Sequence, residues 1–358
     1  MTGTDAIREL AGDWLALPGE EGRDFVVSPA GLWLALTAVA SGAGGRTAEE
    51  LRALLGAAGP EAADAVTAVA RSLAAGGGTD VAAGVWSRVP LLAGFRERLP
   101  EVGFGVLDEG ARDGIDAWVR KATGGRIEAL PLTLDGREDL VLVGALALKA
   151  AWLARFPGHL TRDEPFTRGD GAVVPVPTMH QRIPATWAWR TAGATVVELP
   201  CEGGDGAVRV RFVLGAPGDG PAAVLPAAWA GPAGREAVRA EAVDLALPRF
   251  TLRTVTDVHA RLPGLGVRRA LRPGADFSGL SPQPLYVSAA VQEALVEIAE
   301  EGVEAAAVTA VAMTRSAAPP ARLTVERIAF DRPFGVVVLA GAGAGELPLF
   351  VGWRSGVA

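Results

Sequence analysis

The stretch from Glu300 to Ala312, Glu-Glu-Gly-Val-Glu-Ala-Ala-Ala-Val-Thr-Ala-Val-Ala, constrains the fold more than any other part of this chain. Read as an extended strand, it places Val303, Ala305, Ala307, Thr309 and Val311 on one side and Glu304, Ala306, Val308, Ala310 and Ala312 on the other. One side is small and nearly all apolar, and such a side belongs in a core. Yet the segment runs straight into Met313-Thr314-Arg315-Ser316-Ala317-Ala318-Pro319-Pro320, which has the composition of an exposed loop. The run is suited to two locations, one buried and one in solvent. An alanine-rich helix is the alternative, because Ala and Glu are strong helix formers. Gly302 and the β-branched Val303, Val308, Thr309 and Val311 favour the strand.

A length of 358 residues exceeds the usual single core. No linker divides it, however. The Gly and Pro clusters at residues 76–78, 203–206 and 215–221 are short and separate apolar segments on both sides, so one domain over 1–358 is expected. No uninterrupted apolar run is long enough to span a bilayer, which predicts a soluble chain with no membrane partner. The net charge of -7 argues against nucleic acid, whose binding needs clustered basic residues. The amino terminus has no basic cluster followed by an apolar stretch, so no secretory signal is readable and the location stays open. A single cysteine excludes an internal disulfide framework. Asn is absent and Lys occurs only at Lys121 and Lys149, a coding bias of the kind found in GC-rich bacteria.

Enzymatic chemistry finds no footing. His159, His180 and His259 are widely spaced, and Cys201 is the one thiol, so neither a metal site nor a catalytic dyad is readable. There is no nucleophile elbow, phosphate loop or dinucleotide fingerprint, and the glycine-rich 41–45 stretch ends a helix. Neither an enzyme nor a cofactor is expected. Ser28-Pro29 has the form of a helix start, with a capping hydroxyl and Pro at the first helical position. Trp187 and Trp189 have the spacing of strand neighbours facing one side.

Glu300-Glu301-Gly302-Val303-Glu304-Ala305-Ala306-Ala307 resembles the hinge motif of the serpins, serine protease inhibitors that insert their own reactive loop as an extra strand. The resemblance extends along nearly the whole chain in the family's order. It takes in Phe25-Val26-Val27-Ser28-Pro29, Gly45-Arg46-Thr47-Ala48, Trp118-Val119 through Ile127, and Leu140-Val141-Leu142-Val143 through Lys149, Trp152 and Phe156. It continues in Leu245-Ala246-Leu247-Pro248-Arg249-Phe250, Ala275 to Leu280, Asp331-Arg332-Pro333-Phe334 and Pro348 to Gly352.

The resemblance implies an α+β fold with a large central, mostly antiparallel β-sheet, two further sheets and about eight or nine helices. It also implies an exposed reactive-centre loop, with hinge and loop over 302–320. Implied hinge residues are Glu300, Gly302, Val303, Glu304, Ala305, Ala306, Ala307 and Thr309; implied shutter residues are Ser28, Gly144, Lys149 and Gln292. The family often has Asn where Gly144 stands and His where Gln292 stands, and losing both together implies that one polar network was replaced as a unit. The reactive bond is expected between Arg315 and Ser316, which implies a trypsin-like target with a carboxylate in its specificity pocket. The commonest spacing from Gly302 instead cuts between Ser316 and Ala317, and Met313-Thr314 is a third choice. The implied partner is a serine protease, trypsin-like by preference and subtilisin-like as the other choice, met by a monomer. The alternative is a non-inhibitory member acting as a binding or chaperone module.

Overall fold

A computed structural model of the protein describes residues 2–19, 22–75, 79–148, 150–191, 193–203, 208–303, 324–341 and 345–357. The main sheet contains β2 (Thr79–Ser87), β3 (Gly103–Val106), β4 (Leu140–Leu148), β5 (Ala150–Ala151), β13 (Phe250–Asp257), β14 (Val287–Ala299) and β15 (Gly302–Val303). Across it the order is β3-β2-β4-β14-β13, with β15 and β5 set on the β4 side at the far end of β14. A second sheet runs β1 (Phe25–Val27), β18 (Leu347–Arg354), β17 (Phe334–Ala340), β10 (Arg209–Leu214), β9 (Ala194–Pro200), β8 (Ala188–Thr191) and β11 (Glu236–Ala237). The third runs β16 (Val325–Ala329), β12 (Ala242–Pro248), β7 (Val173–Pro184) and β6 (Arg162–Thr167). With eight α-helical segments among the described residues, this is the mixed α+β architecture expected.

β4 reads Leu-Val-Leu-Val-Gly-Ala-Leu-Ala-Leu because both of its faces are covered, so apolar residues run continuously. Behind it lies the helix Pro29–Ala40, every residue of which is buried. Close approach is possible because Gly31 has no side chain: a Cβ there would fall 2.4 Å from Leu146 Cδ1. In front, the helix Ala111–Ala122 lays Ile115 and Val119 on Trp86, Val141, Val143 and Ala145. β14 alternates accordingly. Ala290, Ala294, Val296 and Ile298 enter the main core, while Ala289 and Val291 meet the smaller cluster beneath the front helix.

One local expectation fails. Ala185–Trp187 is a turn of 3-10 helix and β8 begins only at Ala188, so Trp187 and Trp189 are not neighbours on one strand. β7 closes at Pro184, and the 3-10 turn follows it directly.

Candidate functional site

The main sheet contains a fork. β4 and β14 are paired in parallel through Gln292 opposite Gly144 up to Leu295 opposite Ala147. Beyond that point they part, and β15 lies between β14 and β5, with Val303 opposite both Ile298 and Ala150 and Gly302 opposite both Ala299 and Ala151. Ile298 lies three residues beyond Leu295, and Ala150 three beyond Ala147. The two strands therefore separate sideways, by about two strand spacings of ~4.8 Å where they had been one apart, without sliding past each other.

The sequence of this entry point follows from its geometry. Glu300 and Glu301 form the turn out of β14 and Gly302–Val303 is strand, so the helical alternative fails over these residues. Gly302 has φ +155°, and a Cβ on it would fall 2.1 Å from the Ala150 carbonyl oxygen and 2.7 Å from Ala151 Cα. Backbone on the neighbouring strand leaves no room there for any other residue. Val303 is fully buried in the main core, as its alternation predicts.

Trp152 latches this turn. Its indole N–H donates to the Ala299 carbonyl at 2.8 Å and its backbone N–H to that of Glu301 at 3.0 Å, while the Phe156 N–H donates to Glu300 O at 2.9 Å. The Glu300 carboxylate accepts from Thr161 Oγ1 at 2.8 Å and lies 3.6 Å from Arg249 Nη1. Cys201 bridges to Trp152 and is buried; burial, with Glu202 second, pushes its thiol up to about 12, which makes it an inert packing residue.

Lower in the fork, the Gln292 side chain spans to the start of the rear helix. Its Oε1 accepts the Ser28 N–H at 2.8 Å and its Nε2 donates to the Ser28 carbonyl at 2.9 Å. Ser28 Oγ donates to Leu349 O at 2.5 Å and accepts the Gly31 N–H at 3.1 Å, closing the helix cap. The replacement polar network that the sequence implied is therefore present, centred on Gln292. An amide both donates and accepts, so one side chain serves both backbone groups of Ser28. Gly144 stands beside it, where a Cβ would lie 3.5 Å from Gln292 Cγ, and both residues border a cavity of about 10 Å³. Gln292→Ala would leave the buried Ser28 N–H unpaired, while the Ser28 carbonyl keeps the Leu32 N–H at 3.0 Å. Denaturant unfolding is expected to show a loss of about 1–3 kcal/mol.

Comparison with known proteins agrees with this arrangement. Residues 16–353 match the family model described as serpin, serine protease inhibitor. This chain belongs to the serpin family. Iripin-3 of Ixodes ricinus is 32% identical over 318 residues, 82% of this chain and 80% of that protein. Among solved structures, Serpin48 of the insect Tenebrio molitor superposes with a TM-score of 0.80 at 26% identity, covering 98% of this chain and 97% of that one. Thyroxine-binding globulin in complex with thyroxine has the same fold, at a TM-score of 0.78 and 22% identity, over 99% of this chain and 97% of that one. The family in general is one of protease inhibitors and not of enzymes.

Of the residues the serpin resemblance nominated, Glu300, Gly302 and Val303 meet at the fork, and Ser28, Gly144 and Gln292 meet below it. Lys149 and residues 304–323 lie outside the described residues, and with them Glu304, Ala305, Ala306, Ala307, Thr309, Met313, Thr314, Arg315, Ser316 and Ala317. Sequence reasoning missed the latch formed by Trp152, Thr161 and Arg249, although Trp152 and Arg249 stood within matching motifs. It also missed Glu293, fully buried on β14 and held by Arg253 at 2.6 Å. Among the described residues, no three His, Cys, Asp or Glu side chains assemble a metal site.

Proposed function

We propose that this serpin acts as a monomeric suicide substrate for a serine protease with trypsin-like specificity. The observation that carries the reading is β15, which already pairs on both sides in register with the closed part of the fork. Continued from Val303, that register would set Ala305 opposite Val296, Ala307 opposite Ala294, Thr309 between Gln292 and Gly144, and Val311 opposite Ala290. The small, uncharged side of the hinge would meet the main core, and a hydroxyl would meet the one polar side chain there.

The protease takes the loop as substrate, its serine attacking the carbonyl of Arg315 and forming an acyl-enzyme with release of the Ser316 amine. Cutting frees the hinge end of the loop, which continues into the fork. One ladder between β4 and β14 is exchanged for two, a net gain of about ten hydrogen bonds at roughly 1 kcal/mol each, comparable to the stability of a whole domain. From Gly302 to Arg315 the strand carries the protease on the order of 40 Å, at about 3.3 Å per residue. Inhibition is a race between this transit and deacylation.

Mixing the protein with trypsin-like and subtilisin-like proteases and running denaturing gels tests the reading. A detergent-resistant complex with a trypsin-like enzyme is expected, and the mass of the released carboxy-terminal fragment identifies the bond among the choices from Met313 to Ala317. Cleavage with no complex would overturn inhibition and leave the non-inhibitory binding module.

A further inference from the structure

The third sheet carries a cluster of arginines on its outer face. Arg327 on β16, Asp244 on β12 and Arg182 on β7 stand directly opposite one another in one row across three strands. Arg182 grips Asp244 with two hydrogen bonds, at 2.7 and 3.1 Å. Beside this row, Glu164 on β6 accepts from Arg162 at 2.8 Å and from Arg327 at 3.1 Å, and His180 Nε2 lies 3.2 Å away. Burial holds the His180 imidazole below its ordinary value despite Glu164, so it adds no charge at neutral pH. Three guanidinium groups thus stand against two carboxylates. The side chains of Arg162, Arg182 and Arg327 are 59%, 57% and 64% exposed, against 19% for Glu164 and 49% for Asp244. A cavity of about 360 Å³ opens among Arg162, His180, Arg182, Asp244 and Arg327, large enough to admit a side chain of a partner.

The position of this face says what meets it. β16 begins at Val325, ten residues beyond Arg315, so an enzyme holding Arg315 sits within about 35 Å of the start of that strand. With a net charge of -7, the chain as a whole repels an acidic protease, while this face attracts one.

We propose that the outer face of the β16-β12-β7-β6 sheet is a docking surface for a protease whose active-site cleft is rimmed by Asp and Glu, with Arg162, Arg182 and Arg327 making the contacts. This rests on the inhibitory reading above and adds the partner's surface chemistry to it. The test compares the parent with a variant combining Arg162→Gln, Arg182→Gln and Arg327→Gln, and with Arg71→Gln as a control. Arg71 is 71% exposed on the helix Pro60–Ala75. The association rate with an acid-rimmed trypsin-like protease is measured from low to high salt.

The triple variant is expected to associate about tenfold more slowly at low ionic strength, with the difference vanishing near ~1 M salt and Arg71→Gln matching the parent. Superimposed rates at every salt concentration would overturn the docking surface while leaving covalent trapping intact. A single Arg327→Glu reversal, which leaves Arg162 on Glu164, is expected to slow association in the same direction. Binding of the same protease with its catalytic Ser changed to Ala separates the two readings. If the parent binds that inactive enzyme more tightly than the triple variant yet never traps the active one, the surface stands and the inhibitory reading falls. If the parent and the variant bind it equally, the surface falls.

Discussion

A Val303→Arg variant is expected to be cut by the target protease and to trap almost none of it. Val303 is fully buried at the first step of the fork, opposite Ile298 and Ala150. A guanidinium there is expected to lift the two-residue β15 out of the fork before cutting, so that insertion must then bury it against the apolar core at a penalty of several kcal/mol. If about 3 kcal/mol of that penalty enters the barrier to insertion, the strand enters about a hundredfold more slowly and deacylation wins the race. Denaturing gels and titration of residual protease activity measure the outcome. Complexes formed at the parent's stoichiometry would show that Val303 does not face inward during insertion.

Cutting the loop is expected to raise thermal resistance instead of lowering it. A nick in an ordinary exposed loop relaxes a protein slightly; here it would let the hinge fill the fork between β4 and β14, whose register already accommodates it. The gain of about 10 kcal/mol, set against an unfolding entropy of roughly 0.75 kcal/mol per degree for a chain this long, corresponds to a rise in Tm of about 10–15 °C. Calorimetry of the intact and loop-cleaved proteins side by side gives the answer. An unchanged or lowered midpoint after cleavage would mean that the fork stays shut and that the loop is only a tether.

The short strand Gly302–Val303 was legible because its signals are local. Gly302 is required by the Ala150 backbone 2.1 Å from where a Cβ would stand, and a glycine before a run of small residues is visible in sequence. The buried helix behind the sheet was legible too, from Ser28-Pro29 and the apolar run that follows. Gln292 was not. Read by itself it marked only that a polar network had been replaced; its partner Ser28 lies 264 residues away, and only their meeting shows the amide serving both backbone groups. Trp152 has the same history, since its indole finds the Ala299 carbonyl across 147 positions. Trp187 misled for a different reason: period-two spacing describes a strand only if one exists there, and β7 had already closed at Pro184.

By itself the sequence determined that residues 303 to 311, if extended, carry one small, nearly apolar side and that a run with the composition of an exposed loop follows them. Only the tertiary structure decided where that side can go. It set the point beyond Ala147 at which β4 and β14 part, the register in which Gly302–Val303 enters, and the polar contact waiting at Gln292. The division has a physical cause. Side-chain alternation and backbone permissiveness are properties of near neighbours, whereas strand pairing and buried hydrogen bonds join residues whose separation along the chain carries no trace of their contact.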